Sequence, residues 1–168
     1  MRKYTMAISY VPKKEQVFNG MIMRTLRVSK DNRVHSNYNP NDEILLYEWQ
    51  GVPRHSKWGR TKRVKIEESW NLLIDDEKIH FLDGEKIWFS IRWDDDDASV
   101  LALLDGIVPP TGEEWKKVIL KLHGWKSFGP DGVYGKIISW NPKRPVVWTI
   151  VMPPENWMSK YYVINQKG

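Results

Sequence analysis

The chain has no cysteine. That excludes a disulfide framework and any thiolate zinc site, and it favours a reducing, cytoplasmic setting. No run of about eighteen apolar residues occurs, and the opening stretch "MRKYTMAISYVPKK" lacks a continuous apolar h-region, so neither membrane spanning nor secretion is expected. Histidine is scarce. His35, His55, His80 and His123 share no metal-ligand spacing, and neither a metal nor another cofactor is expected. A P-loop, a dinucleotide-binding glycine fingerprint and a nucleophile elbow are all missing.

What is there fits a globular protein of one domain. The 168 residues are 41% hydrophobic and 28% charged, enough to bury a core, and ten of them are tryptophan. The net charge of +5 hides an uneven distribution. Residues 1–66 carry 14 Lys and Arg against 5 Asp and Glu, residues 67–131 carry 7 against 15, and the remainder 5 against 1. A basic first segment suits a polyanionic partner such as nucleic acid; basic and acidic segments that pair across the fold would explain the same pattern. The acidic run "DDDD" at 94–97 reads as a solvated lead into a helix, with Asp97 as its cap, because cation-binding loops usually intersperse carboxylates with glycine or carbonyl donors.

The periodicities predict an α+β fold richer in strands, with no internal repeat and no linker. "YTMAISY" reads as a strand and "VPKKEQVFNG" as a short helix, with Pro12 near its first turn and Gly20 at its end. "MIMRTLRV", "EILLYEW" and "TKRVKIEE" read as strands, and "KIHFLDGEKIWFSIRW" as a hairpin turning at Asp83-Gly84. "ASVLALLDG" is helical. In "TGEEWKKVILKLHG" Thr111 and Glu114 make a capping box, Trp115, Val118, Ile119 and Leu122 one apolar face, and Gly124 the end. "VYGKIISW" and "RPVVWTIVM" complete the strands. A small barrel with helices at its edge is the expected architecture.

Two stretches carry candidate chemistry. "YEWQGVPRHSKWGRTKRVK" places Arg54, Lys57, Arg60, Lys62, Arg63 and Lys65 around Tyr47, Trp49 and Trp58. Cations that can follow a phosphate backbone, interleaved with rings on which bases can stack, are what single-stranded RNA binding requires. The alternative is that the rings pack into the core and the cations solvate a loop. "FNGMIMRTLR" crowds Arg24, Thr25 and Arg27 beside a glycine. Thr25 and Arg27, two apart, share one face of a strand, where Arg27 could line a site or bridge to a carboxylate such as Glu48.

The order of these elements, from "SYVPKKEQVFNGMIMRTLR" through "NDEILLYEW", "RVKIEE" and "LALLDGI...GEEWKKVILKLHG" to "VYGKIISW", resembles the ASCH domain family. The resemblance covers about residues 4–140 and implies a single PUA-like β-barrel domain over 1–168, with 141–168 as a C-terminal strand extension. The family's pattern of glycine, lysine, threonine or glutamate, and arginine falls on Gly20, Ile22, Thr25 and Arg27, and its acidic residue on Asp105. Three of the first four positions agree. The lysine does not.

The resemblance implies two kinds of function. One is a module that binds RNA, a nucleotide or a modified nucleoside, in which Thr25 and Asp105 hydrogen-bond a base and Arg24 and Arg27 stand nearby. The other is a hydrolase, either a ribonuclease or an amidohydrolase that removes the acetyl group of N4-acetylcytidine. In the amidohydrolases lysine, threonine and carboxylate act together: the amine takes the hydroxyl proton and the threonine attacks. With isoleucine at position 22 and Arg24 permanently protonated, no base is expected beside Thr25, and binding is the favoured expectation.

Overall fold

The computed structural model describes residues 1–22, 24–29 and 33–140. Along them run β1 (Lys3–Ala7), α1 (Val11–Phe18), β2 (Arg24–Val28), β3 (Glu43–Trp49), β4 (Trp58–Lys65), β5 (Glu68–Ile74), β6 (Lys78–Asp83), β7 (Lys86–Arg92), α2 (Asp96–Leu104), α3 (Gly112–His123) and β8 (Val133–Ser139). The class is α+β, as expected. The predicted strand "RPVVWTIVM" and the rest of the 141–168 extension lie outside the described residues.

The strands form two sheets, β1-β3-β4 and β2-β8-β5-β6-β7, with no ladder joining them among the described residues, so the expected barrel is not closed by hydrogen bonds here. β1 and β3 are parallel and the other pairs antiparallel. The chain changes sheet within two residues. Ile66 N–H still donates to the Asp42 carbonyl, whereas Glu67 N–H donates to that of Ser139. β5 is poorly announced by its sequence: Trp70, Leu72 and Ile74 face one core, but the apolar Leu73 between them blurs the alternation.

Two cores result. One lies between the larger sheet and helices α2 and α3, with Leu72, Ile74, Phe81, Trp93, Leu101, Trp115 and Ile137 at its centre. The other joins Met6, Ile44, Leu46 and Val64 of the smaller sheet to Val17 of α1, Ile22, Ile138 and Trp140. α1 and β2 therefore stand where the two cores meet.

Local chemistry sets the helix ends. Thr111 caps α3 by accepting the Glu114 N–H at 3.1 Å, and Gly124 ends it at φ +69°. Trp115 and Ile119 of its apolar face are buried, but Leu122 is 53% exposed. α2 starts two residues earlier than expected: Asp95, not Asp97, holds the N-cap position, but its carboxylate accepts the Arg92 N–H before the helix and makes no capping bond, and Asp96 and Asp97 occupy the first turn. Arg92 also pairs with Asp94 at 2.9 Å.

Candidate functional site

α1 buries one stripe, and that stripe contains a lysine. Lys13 and Val17, one helical turn apart, are its buried residues, and Lys13 is 4% exposed. After α1 the chain reverses sharply: Met21 and Ile22 N–H both donate to the Gln16 carbonyl, and Gly20 adopts φ +83°, a left-handed conformation that costs glycine little. The reversal brings β2 back beneath the helix. Lys13 Nζ then stands 3.1 Å from Thr25 Oγ1.

Asp105 reaches the same amine from α2. It is the C-cap of that helix, followed by Gly106 at φ +74°, whose N–H donates to the Leu103 carbonyl while Ile107 N–H donates to that of Ala102. This paired closure fixes the carboxylate's direction. Asp105 Oδ1 accepts from Lys13 Nζ, and Oδ2 accepts from Trp115 Nε1 at 2.8 Å. A carboxylate at the negative end of a helix is ordinarily unfavourable, so the lysine and the indole N–H offset both its burial and the helix dipole. Gly106 lies against this pair. A Cβ there would stand 3.3 Å from Ile22 Cγ1 and 3.4 Å from Lys13 Cγ.

Burial pushes the Lys13 amine below the ordinary lysine value; Asp105 opposes the shift, while the nearby Arg24 and Arg27 add to it. Arg24 is buried too, its Nη2 donating to the Leu101 carbonyl in the last turn of α2, and burial lowers its guanidinium to about 10. A lysine so placed exists in two useful states. Charged, it donates to both Thr25 and Asp105; neutral, it can accept the Thr25 hydroxyl proton.

An amine does stand beside Thr25, from a position the sequence did not single out. Ile22 is buried against Gly106 and contributes no amine, and Lys13 supplies it from the preceding helix. In sequence, a lysine within "VPKKEQVF" reads as a solvated helix residue. Its one signal is its position four before Val17, on the stripe that must face the core.

The predicted site residues separate into two groups. Thr25 and Asp105 converge on Lys13, with Arg24 and Arg27 near enough to act on its charge. Arg27 does not bridge to Glu48, whose carboxylate instead grips Arg60 at 2.8 and 3.1 Å. Arg60 also pairs with Glu15 at 2.6 Å and lies over the Phe18 ring, while Lys62 Nζ donates to the Val17 carbonyl at 3.2 Å. Those two cations dock α1 onto β4. Arg63 pairs with Glu43 at 3.4 Å, and Arg54 and Lys57 are exposed on the loop. Trp58 is 43% exposed and stacks on Tyr47 with ring centroids 4.2 Å apart; Trp49 is half-buried beside them.

Comparison with known proteins adds no relative. No family model, no curated protein and no solved structure matches this chain. Among the described residues no cluster of acidic or histidine side chains could hold a metal ion, and no helix is long and apolar enough to cross a membrane.

Proposed function

We propose that this chain is an ASCH-like amide hydrolase that uses Thr25 as nucleophile and Lys13 as general base, with an N-acylated nucleoside such as N4-acetylcytidine as its substrate class. The observation that carries the reading is the Lys13 amine, buried, lowered in pKa and 3.1 Å from the Thr25 hydroxyl. The PUA-like barrel belongs to the same proposal, resting on the order of elements and on the core shared by the two sheets.

In this mechanism neutral Lys13 takes the Thr25 proton as Oγ1 bonds to the amide carbon. The ammonium so formed is held by Asp105, which Trp115 orients. Lys13 then gives the proton to the leaving nitrogen as the C–N bond breaks, which leaves an ester on Thr25 and a free amine. Water attacks the ester with Lys13 again as base, releasing the carboxylic acid and restoring the hydroxyl. Amide plus water gives acid plus amine, with no other reactant.

The test is amine release from N4-acetylcytidine by the unmodified protein, Thr25→Ala and Lys13→Met. Turnover by the unmodified protein that falls by at least about a hundredfold in each variant is expected. Absence of turnover over a panel of acylated nucleosides would remove the reading. Binding of single-stranded RNA is the second reading, and it keeps one observation, the exposed Trp58 ring stacked on Tyr47 beside Arg54 and Lys57.

A further inference from the structure

A second set of reactive side chains lies at the far edge of the larger sheet. Ile79 and Phe81 of β6 enter the core shared with α2 and α3, so His80 between them faces the other way, and so does its registered partner Ser90 on β7. His80 Nδ1 stands 2.6 Å from Ser90 Oγ. The turn between β5 and β6 returns Asp75 to the same ring, with Oδ2 2.7 Å from His80 Nε2. A hydroxyl, an imidazole and a carboxylate are thereby joined in one chain of hydrogen bonds, the arrangement that activates a nucleophile.

Each member is held in place. Glu77 and Lys78 N–H both donate to Asp75 Oδ1, at 2.8 and 2.7 Å, and Trp93 Nε1 donates to the Asp75 carbonyl at 2.9 Å. Burial opposes charge on Asp75, but the bonds from His80 and from the two N–H groups outweigh it and hold the carboxyl below the ordinary aspartate value. An ionised carboxylate only accepts, so in the neutral ring the proton sits on Nε2. The Nδ1 lone pair is left for the Ser90 hydroxyl, which donates to it.

The ladder leaves the hydroxyl open to a reactant. β7 is the edge of its sheet, and Ser90 is exposed. Trp93 N–H, just past β7, donates to the Glu77 carbonyl, which puts Ile91 and Phe89, at two-residue steps, on the side whose backbone groups face β6. Arg92 and Ser90 direct theirs outward, and Arg92 N–H indeed donates to Asp95 instead. The Ser90 N–H therefore points from the free edge beside its own Oγ, where it can donate to the oxygen of a carbonyl under attack. Leu73, registered with His80, and Tyr134 beyond it continue the row as half-buried apolar surface on which a short acyl or aryl group can rest. Thr25 is on β2, at the opposite edge and four strand spacings away, roughly 19 Å.

We infer that Ser90, His80 and Asp75 form a second, esterolytic site in which Ser90 attacks small carboxylic esters, independent of the reading of Thr25. As Oγ bonds to the ester carbon, its proton passes to His80 Nδ1. His80 gives that proton to the departing alkoxide when the C–O bond breaks, leaving an acyl-serine and an alcohol. Water, with His80 as base, then releases the acid, so ester plus water gives acid plus alcohol. Asp75 positions the ring. The test treats the Thr25→Ala protein, which removes the other nucleophile, with p-nitrophenyl acetate and separately with an alkyl fluorophosphonate, and maps the adducts after digestion. Expected is an adduct on Ser90 that forms at least about a hundredfold faster than on any other serine and slows by a similar factor when His80→Gln is added. Asp75→Asn should slow it as well and abolish a downfield His80 Nε2 proton resonance that Ser90→Ala keeps, a signature that loss of stability alone would not give. No adduct on Ser90, adducts spread evenly over exposed serines, or an undiminished rate in His80→Gln would overturn the inference. Should His80→Gln fail to fold, the adduct map and Asp75→Asn decide: an undiminished rate in Asp75→Asn overturns it too.

Discussion

Replacing Lys13 by methionine separates a structural lysine from a catalytic one. Methionine keeps the length and apolar stem, so the loss is confined to the amine and its bonds to Thr25 and Asp105. Removing one partner of a buried ion pair leaves the other charge uncompensated, here a carboxylate also facing the negative end of α2, at a cost of about 3–5 kcal/mol. Removing both charges, in Lys13→Met with Asp105→Asn, should restore at least roughly half of that loss, because the desolvation that made the single variant costly is then gone. The sign of the pH effect follows from the lowered pKa of Lys13. From that lowered value up to the ordinary 10.5, the unfolded chain holds a proton on this amine that the folded chain has released. Stability should therefore rise with pH across that window, and Lys13→Met should remove the rise. Urea unfolding of the three proteins at a series of pH values measures all of this. A Lys13→Met variant as stable as the unmodified protein, with the same pH dependence, would refute the reasoning.

Further outcomes follow from other contacts. Hydrolysis should rise with pH to a plateau as Lys13 loses its proton, with a midpoint below that of free lysine, measurable in kcat/KM profiles. Gly112→Ala should be severely destabilising, about 3 kcal/mol or more, because its Cβ would lie 1.9 Å from the Trp93 carbonyl oxygen and 2.7 Å from Ala98 Cβ; a melting temperature near that of the unmodified protein contradicts this. Thr111→Ala should cost about 1 kcal/mol through loss of the α3 cap, read by denaturant titration. Trp58→Ala should lower stability by no more than about 1.5 kcal/mol, the scale of one aromatic pair, and should reduce RNA affinity only if bases stack on that ring.

Periodicity and punctuation carried most of the architecture. Proline and glycine mark both ends of α1, the Thr111 and Glu114 pair marks α3, and Asp83-Gly84 marks the β6–β7 turn, all of them local signals. Thr25 and Asp105 were legible through the resemblance. Lys13 was not, because a single lysine on an eight-residue helix reads as solvated unless the packing of the stripe it shares with Val17 is known. Half of the cations of the 47–65 stretch, Arg60, Lys62 and Arg63, proved to be committed to Glu15, Glu43, Glu48 and the end of α1, since the fold brought partners to them.

The most direct test of the central claim is to mix the protein with N4-acetylcytidine, quench within one turnover and weigh the intact chain. The account predicts a transient gain of one acetyl group, mapped to Thr25 after digestion, absent in Thr25→Ala and strongly slowed in Lys13→Met. Acetate release without any adduct on Thr25, or at an undiminished rate in Thr25→Ala, would contradict it.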